Sequence, residues 1–263
     1  MIKPKSNVLF SALLFCLLSA AILIVFSGFF KENDSKWSVH FTIGCSASFT
    51  FFLSLAFAKF HGLCLPEIGI SLTVKSIKQL TMGVFLGLLL VLARQLLVLL
   101  AGHYRIEGLR LPPMNTICSV LLLYILVAIR EELAFRAFPL FAIHRKHGFW
   151  TAQLLIALIF SIEHIAGGMQ WWEAFLGAGS GGLLFGIAAI RNGGIAFPIG
   201  LHFAINLGQW CFGLKDEPGI IITLVEPGFN DFINIASWAG YVVTVVMASA
   251  TIYHHKPGIS RKD

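Results

Sequence analysis

Charge is what this sequence has least of. Asp, Glu, Lys and Arg make up 12% of its 263 residues, about half the share found in soluble globular domains, which excludes an ordinary water-facing surface. Paired cysteines are missing as well. Cys16, Cys45, Cys64, Cys118 and Cys211 are odd in number and share no repeated spacing, so neither a disulfide framework nor a thiolate zinc site is expected. No Gly-Lys-Ser/Thr follows the glycines at 177, 179, 181, 182 and 186, which excludes a phosphate loop and leaves close helix packing through small residues. The basic residues form no stripe interleaved with aromatics, so the formal charge of +6 is no footprint of nucleic acid.

What the chain does have is apolar length. Hydrophobic residues make up 57% of it, 24 of them phenylalanine, and mean hydropathy is +0.83. Runs that match the roughly 20 residues needed to cross a bilayer core predict spans near Val8–Phe30, Val39–Ala58, Leu80–Leu100, Thr116–Phe138, Phe149–Ile165, Ala174–Ile190, Ile195–Phe212 and Ile233–Tyr253. The expected fold is therefore all-α, a polytopic helical bundle of about eight transmembrane helices forming one membrane domain over 1–263. The first run begins like a signal peptide, but its length and the lack of a polar, small-residue cleavage site make it a retained span. Alternating sides from a cytoplasmic N-terminus puts Lys3, Lys5, Lys59, Lys75, Lys78, Arg145, Lys146, Arg191, Lys256, Arg261 and Lys262 inside. Lys31, Lys36, Arg105, Arg110 and Lys215 fall outside. The bias matches the positive-inside rule and places both termini in the cytoplasm. The polar, basic segment 66–79 is expected along the cytoplasmic interface.

Ionisable groups inside spans are costly and ask for a partner or a function. Glu131 and Glu132 lie towards the cytoplasmic end of the fourth span. Glu132 and Arg136 are one turn apart and can pair, while Glu131 points about 100° away and is left available. The same charges can be read as snorkelling to the interface. His164 sits late in the fifth span beside Glu163, which can be read as a helix-end charge at the outer interface. His202 and Asn206 share one face of the seventh span and could simply bond neighbouring helices. Arg94 and Gln95, inside the third span, would meet either a substrate carboxylate or a neighbouring carbonyl, and the structural role is the plainer one. Together the three motif clusters offer a base for water and donors for an oxyanion, the two requirements of amide hydrolysis.

Glu-Glu-x-x-x-Arg at 131–136, Phe-x-x-x-His at 160–164 and His-x-x-x-Asn at 202–206, in that order on membrane helices, resemble the signature of the CPBP family. Its members are the CAAX prenyl endopeptidases and bacterial relatives linked to bacteriocin processing and immunity. The resemblance spans about 116–212 and implies an intramembrane endopeptidase acting on a membrane-associated or lipidated peptide or protein that reaches the site from the lipid bilayer. It implies that Glu131 activates water with help from His164, that Glu132 and Arg136 orient the site, and that His202 and Asn206 hold the oxyanion. It also carries two mechanisms, one zinc-dependent and one metal-free. No His-Glu-x-x-His is present, and Phe160 breaks the reversed motif, so the expectation is no cofactor, with zinc on Glu131, His164 and His202 as the alternative. A transporter with a proton relay and a non-catalytic immunity or scaffold protein are the other readings. Against transport, no matched pair of Gly- or Pro-interrupted spans appears in two halves. Short loops and compact length read as a bacterial inner-membrane protein.

Overall fold

Inside a bilayer every backbone polar group must be satisfied without water, which a helix does within its own segment. The computed structural model, which describes residues 7–30, 37–215 and 218–254, is a bundle of such helices: α1 Val8–Phe30, α2 Ser38–Phe60, α3 Val74–Leu100, α4 Met114–Phe135, α5 Phe138–His147, α6 Phe149–Ala166, α7 Trp171–Glu173, α8 Ser180–Asn192, α9 Ala196–Cys211 and α10 Asn230–His254. A π-helical stretch, Ala174–Gly179, joins α7 to α8. Among the described residues, α1, α2, α3, α6, α10 and the run Trp171–Asn192 are the 6 helices long and apolar enough to cross a membrane. α4, with Arg130, Glu131 and Glu132 near its end, and α9, with 16 residues, supply the other two runs read from the sequence. Phe10, Leu17, Phe52, Phe85, Leu96 and Met247 are exposed on the outside, the reverse of a soluble helix. The chain is an integral, multi-pass membrane protein. The expectation about the termini falls on residues 1–6 and 255–263, outside the described residues.

Of the boundaries that differ from the sequence reading, two have a clear local reason. The Thr73 hydroxyl accepts from the Ser76 N–H at 3.2 Å, a cap that starts α3 at Val74 and not near Leu80. The second part of the segment expected along the interface, from Val74 on, is therefore the first turns of a span, preceded by one 3₁₀ turn at Leu65–Ile68. The fourth span ends at Phe135 because Pro139 lacks an N–H and would clash with the carbonyl four residues back. The chain breaks at Ala137 and restarts as α5. The C-terminal turn of α5 reaches the basic end of the bundle, where Arg145 pairs with Glu67 at 2.8 Å. The acidic pair on α4 is thus set on the order of 15 Å inside that end, deeper than the interfacial one of its two readings places it.

α3 and α9 run parallel and touch backbone to backbone. A Cβ at Gly83 would overlap the Phe197 carbonyl, one at Gly200 the Leu80 carbonyl, and one at Gly208 the Val91 side chain. Small residues permit this approach where the bilayer supplies no hydrophobic drive between helices. Because both helices finish at the same end, the segments that follow them emerge side by side and pair as β1 Tyr104–Leu109 and β2 Ile221–Val225, antiparallel, with Tyr104 opposite Val225. This small sheet is an addition to the all-helical expectation. The opposite end holds Lys59, Lys75, Lys78, Arg145, Lys146 and Arg191, and there Gln79 donates to the Asn192 carbonyl at 2.8 Å.

Candidate active site

The motif residues on α4, α6 and α9 meet in the bundle interior, beside a cavity of about 470 Å³ lined by His164, His202 and Asn206 together with Arg94, Glu173 and Lys215. Glu132 and Arg136 are fully buried and 3.4 Å apart, as their spacing implied, and they do not reach an interface. Arg136 is wedged among aromatic faces, 4.2 Å from the Phe160 ring centre and 5.4 Å from that of Phe185, where a guanidinium is attracted by the ring quadrupole. Gly182 lets it fit, since its carbonyl accepts from Arg136 Nη2 at 3.4 Å and a Cβ there would crowd both Arg136 and Phe160.

This buried pair organises His202. Glu132 Oε1 lies 3.0 Å from His202 Nδ1, and an ionised carboxylate can only accept, so Nδ1 carries the proton. Phe185 stacks on the ring at 4.6 Å and 16°. The far nitrogen, Nε2, stands 3.8 Å from Glu131 Oε2. His202 therefore offers a lone pair at Nε2 when neutral and a second N–H there when it is imidazolium. Glu131 Oε2 is buried and makes no hydrogen bond within the protein, so one carboxylate of the pair is tied and the other is free, on neighbouring positions of one helix.

His164 is oriented in the same manner. Its Nδ1 donates to the Phe160 carbonyl at 2.9 Å, one turn back on α6, leaving Nε2 as an acceptor, and the Phe160 ring packs on its edge at 4.4 Å. Asn206 accepts at Oδ1 from Lys215 Nζ at 3.3 Å. With the carbonyl end so engaged, the amide N–H₂ is the end left to donate.

Several residues of the site carried no signal in the sequence. Arg130, only 2% exposed, pairs with Glu163 at 2.5 Å, so Glu163 is not the interfacial helix-end charge it resembled. This pair joins α4 to α6 immediately beside Glu131 and His164. Lys215, Glu173, Phe185, Trp238 and Tyr241 complete the wall. Arg94 does bond a carbonyl, that of Ser237 at 3.2 Å, and it also faces the cavity. Among the described residues no three His, Cys, Asp or Glu side chains are grouped to hold a metal, so Glu131, His164 and His202 are not drawn together as a zinc ligand set.

Among curated proteins none matches the chain. Residues 113–208, which hold all six motif residues from Glu131 to Asn206, match the family described as Type II CAAX prenyl endopeptidase Rce1-like. On that match, joined to the order of the three motifs, residues 113–208 form a domain of the CPBP family.

Proposed function

We propose that the chain is an intramembrane endopeptidase that hydrolyses a peptide bond of a membrane-associated or lipidated substrate with water activated by Glu131. The observation that carries this reading is the asymmetry of the acidic pair: Glu132 is locked to Arg136 and His202, while Glu131 Oε2 is buried, unbonded and within 3.8 Å of His202 Nε2. Glu131 takes a proton as the water oxygen bonds to the scissile carbon, and the carbonyl electron pair moves onto oxygen. The Asn206 amide N–H₂ and the imidazolium form of His202 donate to that oxyanion. As the tetrahedral centre collapses the C–N bond breaks, and the proton held by Glu131, passed with the help of His164, goes to the leaving amine. Water is consumed and one acid and one amine result. No step here requires a metal. The basic end of the bundle faces the cytoplasm, on the same charge bias that orders the spans, and the short loops and compact length fit a bacterial inner membrane.

The test uses the purified protein in lipid nanodiscs with a library of hydrophobic peptides, read for new termini by mass spectrometry. New termini that vanish in Glu131→Gln and persist through exhaustive chelation are the expected result. Cleavage that survives Glu131→Gln would refute the assignment, and loss on chelation with recovery on added zinc would replace it by a metal mechanism.

A further inference from the structure

Glu131 and His164 share the handling of one proton in the proposed reaction, yet neither side chain holds the other in place. Glu131 Oε2 makes no hydrogen bond within the protein, and the His164 Nδ1 bond runs to the Phe160 carbonyl of its own helix. Their separation is therefore set by how α4 stands against α6. Proton transfer needs heavy atoms about 2.6–3.2 Å apart or joined through one water, so a shift between these two helices reaches the chemistry directly.

α4 and α6 are tied through long side chains. Towards the basic end of the bundle, the Phe160 ring packs edge-on to Phe135 at 4.8 Å and lies 4.2 Å from the Arg136 guanidinium. Apolar ring contact is non-directional and leaves room for the helices to slide along each other. More than one turn further out, Arg130 Nη1 meets Glu163 Oε1 at 2.5 Å. A charge-assisted hydrogen bond is short and directional, and the best-attested use of a polar pair in an apolar setting is to fix register. Arg130 immediately precedes Glu131, and Glu163 immediately precedes His164. Each of the two functional residues therefore stands one helical step, about 1.5 Å of rise, from an end of the bridge.

We propose that Arg130 and Glu163 are positioning residues, whose bridge fixes the register of α4 against α6 and so holds Glu131 and His164 at the separation that proton passage needs. Neither touches the reacting atoms. The contact is made through one guanidinium nitrogen, so a lysine ammonium at this position restores part of it and a neutral side chain does not. The inference rests on the endopeptidase reading for what the separation is for, and on the bridge alone for the register.

A double substitution parts positioning from stability. Arg130→Met together with Glu163→Gln removes the bridge and leaves no unpaired charge behind, so folding loses little. In nanodiscs, well below the melting temperature of each variant, kcat for a cleaved library peptide is expected to fall in the double variant by on the order of 10-fold to 10²-fold at unchanged KM. Arg130→Lys should keep more of kcat than Arg130→Met. A double variant that cleaves at the full rate would overturn the proposal, and so would a raised KM at constant kcat or a lysine no better than methionine. Should the double variant fail to fold, Arg130→Lys and Glu163→Asp decide, the full rate in both being the overturning result. Cross-linking reads the register without substrate. With Cys45, Cys64, Cys118 and Cys211 replaced by alanine and the buried Cys16 left in place, Glu131→Cys and His164→Cys are joined by bis-thiosulfonates of graded length. A narrow range of lengths is expected while the bridge is intact and a wider one in the double variant; the same range in both would overturn the proposal. A range that widens in a protein that cleaves nothing would leave the tie standing and sink the endopeptidase; cleavage with range and rate unchanged would do the opposite.

Discussion

Lys215 engages the amide oxygen of Asn206, and the N–H₂ is the end of that side chain that would donate to an oxyanion. Asn206→Ala is accordingly expected to lower kcat by on the order of 10² to 10³ with little change in KM, since the bond is made fully only when charge develops. Steady-state kinetics on a cleaved library peptide checks it, and a raised KM at constant kcat would make Asn206 a substrate-binding group. Glu131→Gln and His164→Ala should abolish turnover without lowering expression or the melting temperature; unfolding of both would return these residues to a structural role. The residue pairs visible in the sequence are those one turn apart: Glu132 with Arg136, Phe160 with His164, His202 with Asn206. Local spacing fixes which side chains share a face. The tie from Glu132 to His202, that from Arg130 to Glu163, and the cavity wall from Arg94 to Lys215 cross between helices, and periodicity says nothing about which faces meet.

At the scale of elements, the apolar runs locate the spans because a helix in lipid needs length and hydropathy before anything else. They could not show the break between α4 and α5, although Pro139 marks it, because Phe138 and its neighbours continue the apolar run past the proline. Nor could they show the seam between α3 and α9, since Gly83 and Gly200 are as permissible in a loose helix as in a touching one. Gly83→Leu should lower stability by about 1–3 kcal/mol or more, the range for overpacking, measured by unfolding in mild detergent. A smaller effect would mean that the seam can open. The Arg130–Glu163 bridge tests the joint of α4 with α6: Arg130→Met leaves Glu163 unpaired in a largely buried position and should cost on the order of 3 kcal/mol, with the charge-swapped pair Arg130→Glu, Glu163→Arg recovering part of it. No recovery would assign the loss to packing.

For the whole molecule, reporter fusions at Phe30 and Asp263 should report opposite sides of the membrane, because an odd and an even number of spans precede them; the same side would mean a wrong span count. The basic end carries its own pH signature. The Cys64 backbone N–H, then Arg145, hold the Glu67 carboxyl down to about 2 from an ordinary 4.5. A carboxyl lowered on folding contributes stability that is intact above 4.5 and is lost as pH falls from there towards 2. Melting temperature across that window should fall less steeply in Glu67→Gln than in the unsubstituted protein, and identical slopes would show that the tie contributes nothing. The parallel seam has one more consequence. Where Gly83 and Gly200 bring the two backbones into contact no side chain stands between them to yield, so α3 and α9 move as one body and the width of the cavity between Arg94 and His202 is set by the seam.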